Sequence, residues 1–487
     1  MNDNINENSG GSYEKKLSFF ALTAVIIGST IGSGIFTITA DMAASGAHTG
    51  AILIGWLICG VGMFCLMMCY FGLNRLRPDL TNGVYSYAME GFGEFIGFNS
   101  AWGYWLSALL CNVSYLTLLF GALGYFFPVF GTGNNLISVV CASVALWILN
   151  WLVLRGVEEA AAINIITTIA KLVPVFVFIV AVIFVGAFDP DIFMNNFWGD
   201  GTLPISDQIK ATTTATVWSF IGIEGAVVLS GRAKRAKDVG KSSLVAFIGI
   251  LAIYVMVAVL SMGVMTTEEM AALDNPQMAG ILEKAVGPWG AAMINIGVIL
   301  SLAGALLGWT ILAADCSYSA AKQGVFMRAF TRTNSKNSPS FALFLTNGII
   351  QAFLVICFFN DATYQAFYIL SASMIMLPYL FSAAYYLKLT MRGEGFEEGR
   401  GGNLLLAKIF AVIGTIYGVW MLYSSGLDYL LITTVLYAPG LIVYYLGKKE
   451  RGLPTFNHKA EMWLAVALVA AAVVSIVMIG NGSLSPF

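Results

Sequence analysis

Apolar runs alternate with short polar breaks along the entire chain. A helix needs about 20 apolar residues to cross the hydrocarbon core of a bilayer. Thirteen stretches meet that length, at roughly 17–45, 49–74, 96–127, 135–154, 158–187, 208–230, 242–266, 287–320, 339–359, 363–390, 404–423, 426–446 and 460–480. Several are longer than the minimum, which predicts tilt or kinks. Residues 83–95 form a shorter pattern, expected to be a helix lying at the interface. The longest polar connections are 188–207 and 267–286.

Composition turns this pattern into a class. Of 487 residues, 58% are hydrophobic and 11% are charged, against roughly 25% charged in globular chains. The mean hydropathy is +0.80. A soluble fold is excluded, and the expected class is an all-α integral membrane protein of about thirteen crossings, or twelve if the last segment lies flat. The net charge of −2 is uninformative about partners, and no basic tract points to nucleic acid. Residues 1–16 are a polar tail, and no small-residue cleavage site marks a removable signal peptide. With the N-terminus placed inside, 22 of the 25 Lys and Arg fall in inner loops, leaving Lys171, Lys210 and Lys284. That asymmetry predicts a cytoplasmic N-terminus.

Two segments carry interruptions. The first contains Gly28-Ser29-Thr30-Ile31-Gly32-Ser33-Gly34-Ile35-Phe36, and the sixth contains Trp218-Ser219-Phe220-Ile221-Gly222-Ile223-Glu224-Gly225-Ala226. Glycine adopts unusual dihedrals at low steric cost. Irregular backbone at membrane depth must line a protein cavity. Breaks at matching positions of two halves point to a transporter site at their meeting. Freed N–H groups at the first break suit a carboxylate, and freed carbonyls at the second suit an ammonium group. The spacing of Gly28 and Gly32 also fits a helix-packing face. Glu224 is costly at this depth and a functional candidate by default; its bland alternative is an ion pair with Lys171. Lys171 itself, ahead of Pro174, is either a cation that stabilises one state of the transporter or an anchor for carbonyls freed by Pro174 or by segment 1.

Other chemistry is sparse. The seven cysteines all lie in apolar segments without a Cys-x-x-Cys pair, which fits small buried thiols rather than a metal site. His48 and His458 fall in loops on opposite sides. No phosphate loop or His-Glu-x-x-His motif occurs, so neither an enzyme nor a cofactor or metal is expected. All ten arginines sit in inner loops. Glu224 with nearby aromatics therefore favours a ligand whose side chain is cationic or neutral.

Several motifs resemble the amino acid–polyamine–organocation superfamily, and within it the basic amino acid/polyamine antiporters, closest to the branch of bacterial arginine/ornithine antiporters. They are Ile31 to Phe36, Ser100-Ala101-Trp102-Gly103-Tyr104-Trp105, Leu123 to Pro128, Thr167 to Pro174 and Trp218 to Ala226. The resemblance implies a 5+5 inverted-repeat fold with broken helices 1 and 6. It would place a ten-helix core at 17–390 (repeats 17–187 and 208–390) and accessory helices at 404–480. It implies that Ser33 and Gly34 hold a substrate carboxylate, and that carbonyls of Thr30, Trp218 and Ile221 take the α-ammonium. Trp218 would cover the substrate, Trp309 would stack on its cationic end, and Asn112, Ser371, Ser107 and Ala108 would meet the distal nitrogens. Tyr104, Glu224 and Tyr379 would form an inner barrier, with Lys171 at the position of a sodium site in sodium-driven cousins.

The expected activity is exchange of a cationic amino acid for its metabolic product, arginine in and ornithine out, across a bacterial inner membrane. Lysine/cadaverine or histidine/histamine exchange and proton-coupled uptake are the alternatives. A non-transporting nutrient sensor would carry a larger soluble tail. The expected partners are small amino acids and the lipid bilayer, with a homodimer left open.

Overall fold

The computed structural model describes residues 19–80, 84–156, 161–195, 197–224, 236–360, 364–397 and 399–485. The polar tail at 1–16, Gly225 and Ala226 of the second break, and the basic stretch through Arg235 lie outside the described residues. Among the described residues the fold is all helical, with no strand.

The first predicted segment is two pieces, α1 (Phe19–Thr30) and α2 (Ile38–Ala44), joined by irregular backbone and a short 3-10 turn at Gly34–Phe36. Then come α3 (Thr49–Leu76), α4 (Val84–Phe92), α5 (Glu94–Phe126), α6 (Leu136–Leu154) and α7 (Ala161–Val185). A short α8 (Pro190–Met194) leads to α9 (Ile205–Phe220), which ends at the second predicted break. The chain resumes as α10 (Ala236–Val264), α11 (Thr267–Ala271), α12 (Gln277–Val286) and α13 (Pro288–Lys322). The last helices are α14 (Ser340–Asn360), α15 (Tyr364–Arg392), α16 (Leu404–Ser424), α17 (Leu427–Tyr437), α18 (Gly440–Glu450) and α19 (Lys459–Gly480). Eleven continuous spans, with α17 and α18 counted together, are long and apolar enough to cross a membrane. Added to the two interrupted segments, they match the thirteen predicted stretches. The short helix expected at 83–95 is α4.

Burial ranks these helices. The apolar window of α5 is 94% buried within the protein, that of α19 only 17%. The central post is thus α5, packed along α15 and α13, and α19 faces outward. Lipid tails are as apolar as leucine, so helices associate in a bilayer through close packing at small residues. Gly62 of α3 lies against the Tyr417 ring of α16, and Gly297 and Gly304 of α13 lie against Pro174 and Thr167 of α7. At one end of the bundle, buried Lys448 of α18 and Arg451 both pair with Glu94 at the start of α5. Ions in this setting need partners to offset lost hydration.

The polar connection 267–286 is more ordered than its composition suggests. Thr266 caps α11 through the Glu269 amide, and the Glu269 carboxylate accepts from the Thr266 amide. This reciprocal box satisfies two otherwise orphaned donors. The capped helix α11 packs against α2, bringing the 267–286 connection over the second piece of the first broken segment.

Candidate functional site

The two breaks meet. At the first, the Ile31 amide donates to Ile27, Phe36 to Ser33 and Thr37 to Gly34. The N–H groups of Ser33 and Gly34 donate to no acceptor among the described residues. At the second, α9 ends as Ile221 leaves helical dihedrals, and Gly222 takes φ 101°, a left-handed value that glycine adopts without strain. Trp218, the last turn of α9, lies directly on the first break. A Cβ added to Gly34 would sit 2.9 Å from Trp218 Cδ1. Gly34 is thus required by this close contact.

One hydroxyl fastens this junction. Trp218 Nε1 donates to Tyr364 OH at 3.1 Å, and Thr37 Oγ1 donates to it at 3.3 Å. Ser33 Oγ lies 3.1 Å from the same oxygen. A tyrosine hydroxyl has one proton to give and two lone pairs. With Trp218 and Thr37 donating, Tyr364 gives its proton to Ser33, and its capacity is filled. Tyr115 meets the Trp218 ring edge-on at 5.9 Å, and Tyr368 packs on it at 5.7 Å. This aromatic cover was not anticipated apart from Trp218 itself. Tyr115, Tyr364 and Tyr368 come from α5 and α15, and no local spacing ties them to the breaks.

Beyond the second break lies an acid layer. Glu224 accepts from Tyr379 OH at 2.6 Å, from Tyr104 OH at 2.9 Å and from the Gly222 amide at 3.1 Å. The side chain therefore ties α5 and α15 to the unwound end of α9. Tyr70 meets Tyr379 edge-on, extending the layer to α3. The ion pair of Glu224 with Lys171, one of the readings open from sequence, is not how these charges are arranged. Lys171 Nζ donates instead to the Gly28 carbonyl at 2.7 Å, the anchoring to segment 1 that was the other option.

The remaining predicted residues differ in burial and in partners. Asn112 is fully buried on α5, and neither its Oδ1 nor its Nδ2 has a hydrogen-bond partner. Thr30 is buried with its Oγ1 unpartnered. Ser371 Oγ donates to the Ser107 carbonyl at 2.7 Å and lies 3.1 Å from Ser107 Oγ, so these two first satisfy each other. Ala108 is buried beside them, and Trp309 of α13 is half-buried against the core. Among the described residues no group of His, Cys, Asp and Glu could hold a metal ion.

A first segment in two pieces, a sixth that unwinds at Ile221 and an aromatic cover over their junction form a transporter architecture. A sequence model of the family described as amino acid permease matches residues 17–445. The chain belongs to that family. It is 46% identical over 471 residues to the arginine/ornithine antiporter of Pseudomonas aeruginosa, covering 94% of this chain and 96% of the relative. It is 42% identical to a putative arginine/ornithine antiporter of Escherichia coli K12, covering 94% and 98%. An arginine/agmatine antiporter of Chlamydia abortus is 38% identical, covering 93% and 94%. Across this amino acid permease, the matched region spans both breaks, the Tyr364 cover and the Glu224 layer.

Proposed function

We propose that this permease is an antiporter that exchanges a cationic amino acid for its metabolic product, arginine for ornithine, by alternating access across a bacterial membrane. The observation that carries this is the junction of the two breaks, where the Ser33 and Gly34 amides donate to no acceptor among the described residues and Gly34 lies against the edge of Trp218. The similarity to relatives named arginine/ornithine antiporters supports the substrate pair. The amides receive the α-carboxylate. Carbonyls of Thr30, Trp218 and Ile221 take the α-ammonium. Asn112 Oδ1, an unpartnered acceptor, takes a distal nitrogen of the substrate, beside Ser107, Ala108 and Ser371. Trp309 supplies a face for the cationic end.

The distribution of Lys and Arg supports a cytoplasmic N-terminus. In that orientation the Tyr364 cover is the outer gate and the Glu224 layer the inner one. The repeats then run over 17–187 and 208–390. Arginine and ornithine carry the same net charge at neutral pH, so one-for-one exchange is electroneutral and requires no ion gradient. A ligand shifts the equilibrium between states only by its differential affinity. Glu224 and Lys171 are the groups that keep the empty carrier from crossing.

Proteoliposomes loaded with ornithine are expected to take up labelled arginine, and empty ones are not. Equal uptake into both overturns antiport. Competition by lysine, cadaverine, histidine and histamine in the same vesicles ranks the substrate pair.

A further inference from the structure

Beyond the Tyr364 cover, on the side of α11 and α12, lies an acid that the exchange cycle above does not use. Asp41 of α2 is 1% exposed. Gln277 Nε2 donates to its Oδ1 at 3.0 Å. Its Oδ2 has no hydrogen-bond partner, and neither does Oε1 of the same Gln277. Each residue of this bonded pair therefore keeps one buried acceptor without a donor among the described residues. Burying such groups unpaired is costly, and a charge more so.

Among the described residues no cation pairs with them. The lysines of the surrounding elements are engaged elsewhere, Lys210 with Asp207 at 2.9 Å and Lys284 with Glu269 at 2.7 Å. Asp41 follows Thr37 by one helical turn, its amide bonded to the Thr37 carbonyl at 3.0 Å. Thr37 in turn donates to Tyr364. Asp41, Thr37, Tyr364 and Ser33 thus form a polar track from the α12 end to the unwound peptide. Guanidinium and ammonium groups are donors only, five N–H in one and three in the other. They complement a site made of acceptors only.

We propose that Asp41, with Gln277, is a selectivity station that binds the cationic end of an incoming amino acid before it passes the Tyr364 cover. This rests on the exchange reading and adds a second charge-selective point to it. The cation takes Asp41 Oδ2 and Gln277 Oε1, and the aromatic cover behind them opens toward Ser33 and Gly34. A neutral side chain of the same shape gains nothing there, so the station sets preference at the approach and not at the centre.

Asp41→Asn tests this, because it keeps the shape and an oxygen that can accept from Gln277 while removing the charge. In ornithine-loaded proteoliposomes its KM for external arginine is expected to rise about tenfold, the scale of one hydrogen bond to a charged group. The KM for citrulline, which replaces the guanidinium with a neutral ureido group, is expected to stay put, measured by its own uptake or by its inhibition of arginine uptake. Asp41→Glu, which keeps the charge, is expected to recover much of the arginine preference. Ornithine efflux driven by saturating external arginine reports whether the variants are folded and turning over. An Asp41→Asn protein that exchanges with an unchanged ratio of arginine to citrulline KM overturns the station and leaves the exchange reading intact. A variant equally impaired toward both ligands, with no recovery in Asp41→Glu, makes Asp41 structural and also overturns it. Absence of exchange in the unsubstituted protein overturns both readings together.

Discussion

Lys171 Nζ occupies the Gly28 carbonyl that the Gly32 amide would take if α1 continued as a helix. The break removes that helical donor, and a lysine from α7 replaces it. A hydrogen bond from a charged donor contributes about 1.5–3 kcal/mol. Lys171→Met, similar in length but unable to donate, is expected to lower the initial exchange rate about tenfold or more. Initial rates in ornithine-loaded vesicles measure it. A rate equal to that of the unsubstituted protein would take Lys171 out of the cycle.

Gly34→Ala is expected to abolish exchange with little change in expression. The added methyl carbon meets Trp218 Cδ1 at 2.9 Å, closer than carbon atoms pack. Gly348→Ala is the matched control, since nothing lies within 4 Å of the added carbon. Uptake assays on both variants decide the matter; activity in Gly34→Ala would mean that the tryptophan yields readily.

Tyr379→Phe removes the shorter of the two hydroxyl bonds to Glu224. The lost partner of a buried acid costs about 1–3 kcal/mol, which weakens the tie between α15 and the second break. Labelled arginine is expected to enter empty vesicles, where the unsubstituted protein is expected to take up none. Tyr104→Phe is expected to act in the same direction through the other oxygen. Strict exchange in both would separate the acid layer from coupling.

Trp309→Ala is expected to weaken cationic substrates by about 1–2 kcal/mol through loss of a cation–π face. Half-maximal concentrations for arginine and ornithine measure this. Unchanged values for both would remove Trp309 from the site.

Much of the fold was legible because the bilayer imposes a length on each apolar run and glycine marks where a run gives way. Gly32, Ser33 and Gly34 announced one break, and Gly222 with Glu224 the other. Partners were not legible in the same way. Tyr364 lies 331 positions from Ser33 along the chain, and with 20 tyrosines and 33 phenylalanines no local pattern separates a gate from packing. Glu224 and Lys171 stood out as charges at depth, but sequence alone left open whether they meet. The order in the 267–286 connection did have a signal, since Thr266 and Glu269 have capping-box spacing. Asp41 and Gln277 had none; only the docking of α11 and α12 over α2 brings them together.

The pairing of Glu94 with Lys448 and Arg451 crosses the edge of the family match, which stops at residue 445. The residues that the family model covers therefore leave out two cations that pair with the start of α5. A polypeptide cut at that edge would keep both breaks and every gating side chain, yet leave Glu94 without its two cations. For this permease, charge neutrality at the start of α5 asks for residues beyond the edge of the family match.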